Sequence, residues 1–180
     1  VLFRSMDDDS CATYKKNLKG ECTRIVLTNQ TSLPSCDVLI GGVPCQPFSV
    51  GGKQKGLEDS RNGFPIFINA VKKLQPQIWL FENVRGLLYK NKWYFDEIIK
   101  ALQNLGYIVE YKLLNVVNFG VPQNRERLIV IGHQGKFKFP DILEKRITAG
   151  KALGELAFCA PPESNFLTAS MDESIAKYEK

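Results

Sequence analysis

A chain of 180 residues, 44% of them hydrophobic, can bury one real core, and none of its apolar runs approaches the roughly 20 residues of a membrane span. Lys and Arg number 24 against 19 Asp and Glu, a net charge of +5 that is compatible with nucleic acid; the densest basic stretches, Lys15-Lys16-Lys19 and Lys90-Lys92, are short and suit solvated faces equally well. Five cysteines (Cys11, Cys22, Cys36, Cys45, Cys159) are odd in number and lack paired ligand spacing, which argues against a disulfide framework or zinc site and for a reducing cytoplasm.

In chain order, Ser10 to Leu18 reads as a short helix and Ile25 to Thr28 as a strand, followed by an apolar strand from Asp37 to Gly41. Phe64, Phe67, Ile68, Val71 and Leu74 recur at helical spacing and stop before Pro76. A second apolar run, Ile78-Trp79-Leu80-Phe81, leads into Glu82-Asn83-Val84. Trp93 to Leu105 is amphipathic, with Phe95, Ile98, Ile99, Leu102 and Leu105 on one face and Gly106 as its stop. Tyr107 to Asn115 and Arg127 to Gly132 read as a closing hairpin. Strand and helix in alternation describe an α/β protein whose sheet is mostly parallel and ends in an antiparallel pair. The aromatic residues belong to its core.

Open parallel sheets leave their ligand crevice outside the carboxyl ends of the strands. Cys45 follows the Asp37 to Gly41 strand, Glu82 follows the Ile78 to Phe81 strand, and the hairpin connection carries Gln123-Asn124-Arg125-Glu126-Arg127. Thiol, carboxylate and guanidinium therefore converge on one edge. Taken singly each has a plainer reading. A lone Cys is usually a small buried hydrophobe, a carboxylate after a strand is often solvated or a helix cap, and Arg125 and Arg127 could flank a surface hairpin with Glu126 pairing with either one.

Pro44-Cys45-Gln46-Pro47-Phe48-Ser49, Glu82-Asn83-Val84 and Gln123-Asn124-Arg125-Glu126-Arg127, in this order, resemble the catalytic motifs of cytosine-C5 DNA methyltransferases, and the likeness runs from about Asp7 to Pro140. Gly52 to Arg61 resembles the mobile active-site loop of the bacterial enzymes. The resemblance implies a Rossmann-like, S-adenosylmethionine-dependent methyltransferase sheet. Cys45 would be the nucleophile that adds to cytosine C6, Glu82 the acid at N3, and Asn83 the residue holding the Glu82 loop. Arg127, and with it Arg125, would donate forked hydrogen bonds to O2 or to Glu82. A base in a duplex must be flipped out for this chemistry; Lys53, Lys55 and Arg61 would reach phosphates, Gln46 and Ser49 would fill the vacated stack, and Gln123 joins the nucleic-acid-binding set.

For the cofactor, S-adenosylmethionine, the resemblance points to Asp7, Glu21, Gly42 and Pro44. Matching Ala12-Thr13-Tyr14-Lys15-Lys16-Asn17 to the family pattern puts Ser5 where an acid belongs, so Val1 to Ser5 is expected to be non-native or misread. No Phe-x-Gly-x-Gly sequence occurs, and the family's first strand and Gly-rich turn would precede residue 1. Residues 1–140 are accordingly expected to form a partial catalytic domain, and residues 141–180 a linker into a truncated target-recognition region. The expected partner is double-stranded DNA, with no metal and no membrane, for a monomer in a bacterial or phage-encoded cytoplasmic setting. Two other readings stand beside this one: a tRNA cytosine-C5 methyltransferase, and an inactive homologue that binds nucleic acid.

Overall fold

The computed structural model describes residues 2–44, 63–143 and 146–154. Its elements are β1 (Leu2–Ser5), α1 (Asp8–Asn17), β2 (Glu21–Arg24), β3 (Val38–Gly41), α2 (Phe64–Leu74), β4 (Ile78–Val84), α3 (Gly86–Tyr89), α4 (Lys92–Gln103), β5 (Ile108–Asn115), a 3₁₀ turn (Val116–Phe119), β6 (Glu126–His133) and α5 (Ala149–Leu153).

The larger sheet has the order β3-β4-β6-β5. Strand β3 pairs parallel with β4, whereas β6 is antiparallel to both β4 and β5. It follows that β3, β4 and β5 point the same way and β6 alone runs against them. The hairpin therefore ends the sheet as expected, with β5 at the margin and β6 between β4 and β5. The mostly parallel sheet expected from the sequence takes this form, with parallel neighbours only at β1–β2 and β3–β4 among the described residues.

One face of this sheet carries the core. In β4 the side chains alternate, and Trp79, Phe81 and Asn83 are buried on the face that packs against α2 and α4. Phe67 of α2 meets Trp79 and Phe81 edge-on, with centroids 6.0 and 5.6 Å away, and Phe64 meets Phe81 and Tyr94 of α4 similarly. Leu128 and Val130 of β6 complete the layer. Opposite Trp79 in the ladder stands Gly132, where a Cβ would overlap the indole ring. Only glycine leaves that space. Helix α2 spans the predicted residues and ends with Gln75 in the left-handed region (φ 45°) ahead of Pro76. Tyr107 fastens the start of the hairpin by donating its hydroxyl to the Pro76 carbonyl at 2.6 Å.

The amino-terminal unit differs from expectation. The strand expected at Ile25 to Thr28 lies instead at Glu21–Arg24, paired parallel with Leu2–Ser5. The reason is the length of the partner: β1 runs out at Ser5, whose carbonyl accepts the last ladder bond from Ile25 N–H at 2.8 Å, so the next residues have no strand to pair with. Leu2–Ser5, within the segment expected to be non-native or misread, thus form a strand. Helix α1 begins two residues earlier than predicted because Asp7 caps it, accepting from Ser10 N–H at 2.7 Å. Phe3 stacks on Tyr14 at 4.7 Å and ties the helix to β1.

Candidate active site

The candidate site forms at the carboxyl edge of the larger sheet, and the strand register dictates its geometry. Glu82 lies opposite Ile129 and Val84 opposite Arg127 in the β4–β6 ladder. Residues two apart share a face, so Glu82 and Arg127 are diagonal neighbours on the face away from the aromatic core. Arg127 Nε meets Glu82 Oε1 at 2.7 Å, with side chains 22% and 43% exposed. The pair is accessible from outside yet ordered from behind, as a site that must admit a ligand requires. Arg127 also donates from Nη1 to the Glu126 carbonyl at 2.8 Å, which fixes the plane of the guanidinium.

Both Glu82 and Asn83 fall inside β4 rather than just beyond it, because the ladder with β6 extends to Val84. Asn83 is buried on the core face. Its Nδ2 donates to the Val43 carbonyl at 3.0 Å, and its Oδ1 accepts from Val84 N–H at 2.9 Å. The chain leaving β3 is therefore tied to β4 two residues before Cys45. A second tie follows at once: Gly63 N–H donates to the Pro44 carbonyl at 3.4 Å, and a Cβ on Gly63 would come within 2.6 Å of the Pro44 ring. Cys45 itself, with Gln46, Ser49, Lys53, Lys55 and Arg61, lies outside the described residues.

Arg125 is exposed and contributes through its backbone: its N–H donates to Asn115 Oδ1 at 3.2 Å and its carbonyl accepts from Val116 N–H at 3.0 Å. Gln123 is exposed nearby and makes a backbone bond to Val121 at 2.8 Å. Glu126 pairs with neither Arg125 nor Arg127. Its carboxylate takes Arg85 Nη1 at 2.8 Å, since Arg85 emerges from the end of β4 directly beside the start of β6. That contact holds the Arg85 proton more tightly and raises its pKa above the ordinary arginine value.

Asn115 and Arg85 were not singled out from the sequence. Asn115 accepts from Val117 and Arg125 N–H and donates to Asn124 Oδ1 at 2.6 Å, so one side chain shapes the turn that carries both arginines. Its signal was an Asn at a strand end ahead of a turn. Arg85 could have been noticed as the cation immediately following Glu82-Asn83-Val84.

The residues assigned to the cofactor divide. Asp7 follows the carboxyl end of β1 and Gly42 that of β3, the edge at which open sheets bind ligands, and a Cβ on Gly42 would meet nothing within 4 Å. Pro44 is exposed beside Gly42. Glu21, in contrast, opens β2 opposite Leu2, at the amino edge of the same two-stranded sheet, and is not brought together with Asp7. The Asp7 carboxylate is fully exposed but engaged by Ser10, whose hydroxyl and amide hold it below the usual carboxylate range. Asp7 thus follows the carboxyl end of a strand in the two-stranded sheet, and Gly42 and Pro44 follow one in the four-stranded sheet. Among the described residues no group of three His, Cys, Asp or Glu side chains could hold a metal ion, and no helix is long and apolar enough to cross a membrane.

A family model, C-5 cytosine-specific DNA methylase, matches residues 1–169. The type II methyltransferase M.AplI of Arthrospira platensis is 49% identical over 174 residues, covering 95% of this chain and 50% of that protein. The type II methyltransferase M.HgiBI of Herpetosiphon aurantiacus is 42% identical over 154 residues, covering 80% of this chain and 35% of its own length. The chain therefore spans half or less of these relatives. In fold it is similar to a DNMT2 mutant from Spodoptera frugiperda, with a TM-score of 0.59 at 23% identity over 82% of this chain and 46% of that one. With the family model spanning most of the sequence and relatives this close, the chain belongs to the C-5 cytosine-specific DNA methylase family.

Proposed function

We propose that this chain is the central part of a DNA (cytosine-5-)-methyltransferase of restriction-modification type, acting on a cytosine flipped out of duplex DNA. The observation that carries the reading is the 2.7 Å contact between Glu82 and Arg127, one strand away from a Val43 carbonyl held by Asn83. Residues 1–140 would supply the catalytic fold, and residues 141–180 would lead toward the region that reads the DNA sequence. The bacterial origin of the relatives supports a cytoplasmic setting.

Cytosine C6 is a weak electrophile, so attack needs both a thiolate and a sink for the ring's electrons. The Cys45 sulfur adds to C6, and the displaced electron pair moves toward N3 and O2, making C5 nucleophilic. Glu82 supplies a proton or hydrogen bond at N3, help typically worth about 100- to 10,000-fold in rate. Arg127 holds the Glu82 carboxyl in place and offers its remaining N–H groups to O2. Arg125, exposed at the same turn, is free to reach O2 or a phosphate. S-adenosylmethionine, when bound, supplies the methyl group; Asp7, Glu21, Gly42 and Pro44 would be the residues that hold it. Once C5 is methylated, loss of the C5 proton and cleavage of the C6–sulfur bond restore the ring and release Cys45. Gln46 and Ser49 would fill the vacated stack, while Lys53, Lys55, Arg61 and Gln123 would engage the DNA.

The test is covalent trapping. The gene product as it occurs in the cell, given S-adenosylmethionine and a duplex containing 5-fluorocytosine at the target base, should form an adduct that survives denaturing electrophoresis. Cys45→Ser should abolish it. Adduct formation that persists in Cys45→Ser would mean another nucleophile is used, and transfer to matched tRNA but not to duplex DNA would change the substrate.

A further inference from the structure

The pairing of Glu126 with Arg85 stands at a particular place. In the β4–β6 ladder Val84 faces Arg127 as the last rung. The next position on each strand is Arg85 and Glu126, and there the backbone ladder gives way to a side-chain ion pair of 2.8 Å. The Arg85 guanidinium also lies 5.0 Å from the centre of the Tyr89 ring, so α3 steadies it from the other side. Adjacent strand residues face opposite ways, so Glu126 points to the reverse side of the sheet from Arg127, and Arg85 meets it from the turn into α3. Strand ends fray unless something closes them. Here the last β6 residue paired with β4 is Arg127, while on its other side β6 stays paired with β5 through Glu126.

We propose that Arg85 is a positioning residue: with Glu126 it forms a clip that closes the end of the β4–β6 ladder and so holds Arg127 against Glu82. The inference rests on the roles given to Glu82 and Arg127 above. It assigns Arg85 no contact with substrate. Because Arg85 and Glu126 are both partly exposed, the clip is weak, as surface ion pairs are, and its loss should be felt as a modest change in rate rather than as unfolding.

The experiment is a charge swap in the natural gene product. Arg85→Glu and Glu126→Arg should each lower kcat for methyl transfer about two- to fivefold, the range a surface pair supplies, and leave the KM for DNA unchanged. The double variant, with the charges exchanged, should regain most of the lost rate. Amide hydrogen exchange provides a readout that needs no activity: peptides covering residues 78–84 and 126–133 should exchange faster in each single variant and return toward the parent in the double. A double variant no faster than the singles, or a loss carried by KM, would overturn the clip and make Arg85 a DNA contact. If the parent transfers no methyl group while Glu82→Gln is equally inert, the methyltransferase reading fails; the exchange data would still support or refute the clip.

Discussion

Replacing Asn83 with Ala tests the tie between β4 and the segment that leads to Cys45. The amide makes two bonds, to the Val43 carbonyl at 3.0 Å and from Val84 N–H at 2.9 Å, and is 3% exposed. Each bond has a net worth of about 1 kcal/mol, and a buried carbonyl left without a donor costs about 1–3 kcal/mol. Val43 is itself only 8% exposed, so water does not readily replace the lost donor. Losing the Val84 bond at about 1 kcal/mol and leaving the Val43 carbonyl unsatisfied at about 1–3 kcal/mol together destabilise by about 2–4 kcal/mol. With a urea slope of about 2 kcal/mol/M, the unfolding midpoint should fall by about 1–2 M. Asn83→Asp should do nearly as badly, although it keeps the acceptor for Val84, because an ionised carboxylate turns an oxygen instead of an N–H toward the Val43 carbonyl. The functional consequence is measured at low urea, where the variant remains folded: trapping of the fluorinated duplex should slow, since Cys45 follows Val43 by two residues. An unchanged midpoint in Asn83→Ala would refute the claim that this amide holds the chain. A lower midpoint with undiminished trapping would show that the tie serves stability alone.

Two further changes probe the scaffold. Gly132→Ala should destabilise by about 1–3 kcal/mol or more, since its methyl group must displace the fully buried Trp79 ring; thermal unfolding and near-ultraviolet circular dichroism of the indole would report it. Asp7 has a pKa lowered by its bonds to Ser10, so the stability it gives α1 is present above the ordinary value of 3.8 and disappears as pH falls through the lower folded-state value. Acid titration of the helical signal should therefore lose its dependence on ionisation in this range in Asp7→Asn, which keeps the capping oxygen but has no charge to lose.

The elements legible in the sequence were those with strong periodicity. Phe64 to Leu74 could be bounded because its apolar spacing and Pro76 agree, and the aromatic residues of α2 and β4 declared a core. The β5–β6 hairpin could be read, but not where it docks. Insertion of β6 beside β4 is a long-range pairing that no local pattern encodes, and the contact of Glu82 with Arg127 depends on its register. Short polar strands were misread for the same reason: Glu21–Arg24 has little alternation of its own and is a strand because Leu2–Ser5 lies alongside. Glu126 was given to Arg125 or Arg127 on sequence proximity, whereas the fold offered Arg85, 41 residues away. Asp7 and Glu21 are close in sequence, yet α1 carries the chain from one sheet edge to the other between them.

The central position of β6 also sets the time at which the site can exist. During synthesis β4 emerges with its acid some 45 residues before Arg127, and β6, its neighbour on that side, follows only after β5. Only after the reversing turn has formed and β6 has slid into the open slot does the acid acquire its counterion. A nascent or misfolded molecule in which β6 has not docked beside β4 therefore lacks the contact between Glu82 and Arg127.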